Sequence, residues 1–299
     1  MHDVVSLGAS LYVPTTHPDL IKIARGDKLA GIRSIIFCTE DSVSNRDLPI
    51  ALRNLAHALH ELHYNEGRYR FIRVRSVQVL DMVLQMPGVQ HIDGFVLPKI
   101  SHLNFNEYME RLNKTEHVLM PTLETREAFS ERDMVQLLSL FEQTGVRERI
   151  YCLRIGGNDL LSLIGMRRPR GKTIYQTPIG SIISRLVTTF KPHGFNLAAP
   201  VFEYLDDPHT LSCEVGEDLN HGLIGKSAIH PNQVPQIEKH YQVEAVDMEA
   251  AQLILSEESA AIFRFQNAMC EPSTHRNWAN NVLEYARHHG NRSKLSSVG

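Results

Sequence analysis

The chain has few cysteines, and none of the four (Cys38, Cys152, Cys213, Cys270) forms a C-x-x-C with another. Cys38 and Cys152 sit inside apolar strand-like runs and read as small buried hydrophobes. No apolar run approaches the length of a membrane span. The opening Met1-His-Asp-Val-Val has neither a basic region nor an apolar core, so no signal peptide is expected. A net charge of −3 gives no general attraction for nucleic acid or an anionic membrane. Together these absences describe a reduced, cytoplasmic protein without nucleic-acid or membrane partners.

Several familiar site signatures are missing as well. Gly156-Gly157 is not the G-x-G-x-x-G of a dinucleotide site. Gly225-Lys226-Ser227 looks like the end of a phosphate loop, but Asn220 stands where its first glycine would be. His57, His60 and His63 fall on one side of a helix without forming H-E-x-x-H, so they read as a solvated face. There are no internal repeats and no low-complexity segment.

What is present is a 299-residue chain, 42% apolar and 22% charged, the composition of a soluble globular protein. That length is long for one ordinary domain and normal for an α/β barrel. Eight short strand-like runs alternate with helical stretches: Ser6–Val13, Ser34–Glu40, Arg70–Arg75, Gly94–Lys99, His117–Leu123, Ile150–Ile155, Phe195–Tyr204 and Gly222–Ile229. Strands this short, each followed by a helix, imply a parallel sheet, because parallel pairs need crossovers. Eight units close a (β/α)8 TIM barrel; an open sheet would leave two edges to protect. The expected organisation is an α/β barrel domain over residues 1–240, a C-terminal helical extension over 241–290 and a polar tail from 291. In the extension, Val243–Met269 reads as one long helix and Asn277–His288 as another. Val243–Met269 is apolar around too much of its circumference to touch one barrel only, which points to assembly.

The chain is organised around Met120-Pro-Thr-Leu-Glu-Thr-Arg126. Val118, Met120, Thr122 and Glu124 share one strand face, since side chains alternate. Ile150-Tyr-Cys-Leu-Arg-Ile-Gly-Gly-Asn-Asp159 repeats the device, ending in Asp159 after two glycines. Two acids on successive strand ends suit a shared magnesium, which takes one or two carboxylates and leaves its other positions to water and substrate. They equally suit helix capping. The other strand ends add Glu40, Asp41, Arg73, Arg75, Lys99 and His230. Arginines at a barrel mouth need pairing, with Glu124, with Glu40 or with a substrate carboxylate.

These strand ends together resemble the HpcH/HpaI aldolase and citrate lyase β-subunit family. The likeness runs from Leu11 to about Tyr241. It rests on Leu11-Tyr-Val-Pro14, Thr39-Glu-Asp-Ser-Val43, Ile72-Arg-Val-Arg75, Val96-Leu-Pro-Lys99, Leu123-Glu-Thr125, Gly156-Gly-Asn-Asp-Leu160 and Gly225-Lys-Ser-Ala-Ile-His-Pro-Asn-Gln233. It is closest to the divergent C–C bond lyase branch found with bacterial tellurium-resistance and stress genes. The resemblance implies Glu124 and Asp159 as ligands of Mg2+ or another divalent cation. It implies Arg73 as the residue that binds substrate carboxylate or carbonyl. Chemical logic then makes Glu40 or Asp41 the expected base. Arg75, Lys99 and Gly157 join Arg73 as expected substrate-binding residues. The resemblance also implies a homo-oligomer, a trimer or hexamer. The departures are Cys38 where an aspartate is usual, Arg75 for Asn, Asn158 for Glu and Pro200 for Asp. They leave the metal pair intact and a coenzyme A thioester substrate open.

The expected activity is therefore magnesium-dependent cleavage or condensation of a small oxo- or hydroxy-acid. The alternative is a non-catalytic barrel, a binding or assembly subunit of a stress-response system. A Schiff-base aldolase through Lys99 is the third reading.

Overall fold

The computed structural model describes residues 4–62 and 67–292. Eight strands form the barrel: β1 Ala9–Pro14, β2 Ser34–Cys38, β3 Tyr69–Arg73, β4 Gly94–Leu97, β5 Val118–Leu123, β6 Leu153–Ile155, β7 Leu197–Ala198 and β8 Lys226–Ala228. All neighbouring pairs are parallel and follow chain order from β7 back to β1, with β8 beyond β1. A parallel bridge between Ala199 and Lys226 joins the two outer strands, so the ring closes and no long edge is left bare. This is a TIM barrel, as expected, with most strands shorter than the runs that announced them. The crossover helices are α1 Leu20–Arg25, α2 Leu48–His60, α3 Val77–Leu84, α4 Phe105–Leu112, α5 Glu131–Phe141, α6 Gly157–Leu163, α7 Ile179–Phe190 and α8 Pro208–Asn220, followed by α9 Gln233–Glu238.

Strand alternation separates two cores. Leu11, Ile35, Ile72, Phe95, Leu119, Leu153 and Leu197 face the helices. Ile36, Phe71, Val96, Met120, Cys152 and Ala198 face the axis, with Leu7 from the first turn packed among them. This second set fills the barrel toward its N-terminal end. The polar axial residues are thereby left to the other end.

The stretch after β8 corrects the expectation of one long helix over Val243–Met269. Only α10, Ala245–Leu255, is helical; β9 Phe263–Phe265 and β10 Ala268–Cys270 then form a hairpin, and α11 runs Pro272–His289. The helix stops because the Ser259 hydroxyl donates to the Leu253 carbonyl and the Ser256 hydroxyl accepts from the Glu258 amide, 3.3 Å away. Serine side chains of this kind compete with the helical ladder. Gln266 and Asn267 both take positive φ, 46° and 66°, which is the two-residue turn whose twist suits a hairpin. Phe263 and Phe265 pack onto a small core of Ala251, Ile254, Cys270 and Ala279. The apolar residues that seemed to encircle one helix thus belong to a helix and a hairpin.

The extension covers the N-terminal end of the barrel, not its mouth. Arg33 donates to the His288 carbonyl at 2.8 Å, and the His289 ring lies 2.9 Å from the Val5 carbonyl. Burial holds the His289 imidazole near pKa 4, so it stays neutral there. His57 and His60 are exposed as expected, and His63 lies outside the described residues, as does the tail from 293. Among the described residues no helix is long and apolar enough to cross a membrane.

Candidate functional site

The C-terminal strand ends open onto a cavity of about 260 Å³ whose lining includes Tyr12, Arg73, Thr122, Glu124, Arg154 and Asp159. A larger hollow, about 580 Å³, lies at the opposite end against α11. Barrel chemistry gathers at the C-terminal face, so the smaller cavity is the candidate.

Glu124 leaves β5 on the axial face, three per cent exposed. Its carboxylate does not cap the following helix. It accepts instead from the backbone N–H of Lys99, at 2.8 Å. Lys99 can present that N–H because its backbone sits at φ 51°, a left-handed conformation uncommon for a residue with a side chain. Burial, and then the charge of Asp159, push the Glu124 carboxyl up to about 7. Asp159, in the first turn of α6, is raised too, chiefly by burial.

The two glycines before Asp159 sit where close packing leaves no room for a Cβ. A Cβ on Gly156 would lie 2.1 Å from the Glu124 carboxylate, and one on Gly157 would lie 2.5 Å from Ile174 and 2.8 Å from Pro200. The first leaves room for the Glu124 carboxylate, and the second lets α6 pack against the β7 end. Gly156→Ala should cost about 1–3 kcal/mol through overpacking and lower magnesium affinity with it. Denaturant unfolding and calorimetry on the variant check both; intact metal binding would contradict this reading.

Across the mouth, Arg73 pairs with Glu40 at 2.9 Å and Asp41 at 3.2 Å, and its Nε donates to Cys38 Sγ at 3.2 Å. The thiol thus occupies the place where the resemblance expected an aspartate. Lys99 Nζ hydrogen-bonds Glu40 and lies 3.6 Å from Asp41 and 3.8 Å from Asp159. Burial opposes the Lys99 ammonium, but Glu40, then Asp41 and Glu124, outweigh it and hold its pKa above the ordinary value. A Schiff base needs a neutral amine, so this environment disfavours one. Burial raises the Glu40 carboxyl against the attraction of Arg73. Asp41, more exposed, is lowered despite its own burial by its hydrogen bond with Glu40 and the charges of Arg73 and Lys99.

Arg75 and His230 stand apart from this cluster. β3 ends at Arg73, and Arg75 turns away to donate to the carbonyls of Thr39 at 3.2 Å and Glu40 at 3.0 Å. It braces the β2–α2 loop and does not line the cavity. The His230 ring accepts from the Asn232 N–H at 3.2 Å, within its own turn.

The four carboxyls Glu40, Asp41, Glu124 and Asp159 outnumber the two cations set among them, Arg73 and Lys99, so this side is short of positive charge. A divalent cation fits that balance and the oxygen donors. Among the described residues no cluster of three or more His, Cys, Asp or Glu side chains offers a dense protein cage. A two-carboxylate site is what magnesium commonly accepts.

Sequence reading missed Arg154, which enters the same cavity from β6. Its signal was the alternation in Tyr151-Cys-Leu-Arg-Ile155, which puts a charge on the axial face beside Cys152. It also missed the buried ion network of Lys226, which faces outward from β8 and bonds Glu214 at 2.9 Å and Asp218 at 2.8 Å. The i,i+4 spacing of those two acids on α8 was the available clue.

Known proteins resemble the chain at a distance. The chain is 24% identical over 237 residues to a (3S)-malyl-CoA thioesterase of Cereibacter sphaeroides, covering 78% of this chain and 76% of that one. Its fold is similar to CitE from Mycobacterium tuberculosis in complex with magnesium, acetoacetate and coenzyme A, with TM-score 0.71, 19% identity and coverage of 95% and 99%. It is also similar to a citrate lyase beta subunit of the same organism complexed with oxaloacetate and magnesium, with TM-score 0.60, 18% identity and coverage of 80% and 99%. The family described as C–C bond lyase of the TIM-barrel fold matches residues 1–291, and the chain belongs to that family.

Proposed function

We propose that the protein is a divalent-cation-dependent C–C lyase or aldolase acting on a small oxo- or hydroxy-acid. The observation that carries this reading is the meeting of Glu124, Asp159, Arg73 and Asp41 in one cavity, with Glu40 paired to Arg73 behind it. Glu124 and Asp159 would hold magnesium, which supplies Lewis-acid stabilisation of charge developing on a substrate carbonyl oxygen. The similar structures crystallised with magnesium and small acids support the same assignment. Arg73 orients the acid end of the substrate through its guanidinium. Glu40, raised by burial, is the base in this reading; Asp41 stays ionised and keeps Arg73 and Lys99 in position. In the cleavage direction Glu40 removes the hydroxyl proton as the C–C bond breaks. Condensation uses the same groups in reverse.

The test is turnover of oxo- and hydroxy-acids, free and as coenzyme A thioesters, with magnesium, with EDTA, and with borohydride. EDTA should stop cleavage and borohydride should trap no adduct on Lys99. Activity that survives EDTA and disappears in Lys99→Met would overturn the metal mechanism. No cleavage despite bound metal would favour the non-catalytic barrel.

Self-assembly is part of the same reading, supported by the exposed Ile262, Met269 and Trp278 on the extension. Light scattering should report a homo-oligomer whose mass falls when the extension is removed.

A further inference from the structure

Arg154 is two per cent exposed, at the depth of Thr122 on the neighbouring strand. Its Nη2 donates to Ser227 at 2.8 Å, its Nη1 lies 3.6 Å from Met120 Sδ, and its Nε has no hydrogen-bond partner. Its guanidinium carbon is 5.5 Å from the centre of the Tyr12 ring, a face that Arg73 shares at 5.0 Å. No carboxylate pairs with it among the described residues. Arg168 and Lys226, equally buried, each have two: Glu203 and Glu214 for the first, Glu214 and Asp218 for the second. A buried guanidinium left with a hydroxyl, a thioether and a ring is short of a counter-charge. Thr122 lines the same cavity with its own hydroxyl unpartnered. The cavity is therefore two-sided, with surplus acid around Glu124 and Asp159 and surplus base at Arg154.

We propose that Arg154 anchors a second carboxylate of the substrate, so that the site takes a small dicarboxylic oxo- or hydroxy-acid. This deepens the lyase reading and rests on it for the acid bound near Glu124 and Asp159. One end of the acid lies toward Arg73 and the metal pair. The other meets the free edge of Arg154, with the Ser227 and Thr122 hydroxyls beside it. A guanidinium offers two parallel donors to a carboxylate, which a monocarboxylic acid of the same backbone cannot use at that end.

Malate and lactate, two hydroxy-acids that differ by one carboxylate, are the probes, titrated calorimetrically into the magnesium-loaded protein. The unmodified protein should prefer malate by about tenfold or more, the difference expected for a hydrogen-bonded charge pair. Arg154→Met should lose that preference while keeping its affinity for lactate and magnesium, and Arg154→Lys should keep part of it. Without ligand, Arg154→Met should melt at the same temperature as the unmodified protein or higher, because it removes an uncompensated charge. No preference in the unmodified protein, a preference retained in Arg154→Met, or a large fall in melting temperature in that variant would each overturn the anchor. The two readings fail separately. A malate preference without any turnover would sink the lyase and keep the anchor, and cleavage of acids without the preference would do the reverse.

Discussion

Magnesium titrated into Asp159→Ala is expected to give no saturable heat at concentrations that saturate the unmodified protein. Glu124→Gln should behave the same way. The reason lies in the balance of charge at the mouth, where Glu124 and Asp159 are the acids not engaged by Arg73. Loss of even an outer partner of a metal ligand costs about 10–100-fold in affinity, so loss of a ligand itself should cost at least ~100-fold. Lys99→Met should act in the opposite direction. Its ammonium stands 3.8 Å from Asp159 and competes with any cation placed there, so its removal should strengthen magnesium binding. Equal affinity in the unmodified protein, Asp159→Ala and Glu124→Gln would place the metal elsewhere or nowhere.

The largest stability effect is expected at Lys226→Met, a substitution far from the reacting groups. Lys226 is one per cent exposed and is the cation paired with Asp218. Asp218 also accepts from the Tyr175 hydroxyl at 2.6 Å, and Glu214 accepts from the Ile174 N–H at 2.6 Å and from Arg168. Removing one member of a buried ion network strands the others, at about 3–5 kcal/mol. Denaturant unfolding at neutral pH should show that loss, and adding Asp218→Asn should restore much of it. The sign with pH follows from Asp218, whose folded pKa burial pushes up to about 6, above the 3.8 of a free aspartate. The folded state then holds the proton more tightly, so this group favours folding as pH falls from about 6 toward 3.8. In Lys226→Met that gain should be larger, since the charge that restrained the shift is gone. A variant as stable as the unmodified protein at neutral pH would show that the network contributes nothing.

The barrel was legible because its signal is local and repeated. Each strand is an apolar run followed by a helix, and the axial alternation of Met120, Thr122 and Glu124 can be read directly from β5. The extension was not legible for the opposite reason. Ser256–Met269 contains neither glycine nor proline; serines end the helix there, and the hairpin turn is made by Gln266 and Asn267 at positive φ. At the site, the strand-end acids and Arg73 converge as their positions implied. Arg75 does not, because the strand ends two residues before it and the alternation rule ends with the strand. Arg154 and Lys226 needed the third dimension. A lone charge in a three-residue strand carries no hint of whether a carboxylate waits for it.

The contact between His289 and Val5 spans 284 residues. It lies beside β1, the strand that pairs with both β2 and β8. During synthesis β1 emerges early and can pair with β2 at once, but its other edge must wait until β8 has been made. The turn that carries Leu7 into the barrel interior waits longer still, for α11 to pack over it. An unpaired strand edge exposed through most of translation invites pairing with another chain. The ribosome-bound protein should therefore need protection by chaperones until α11 has left the exit tunnel, and should become protease-resistant only then.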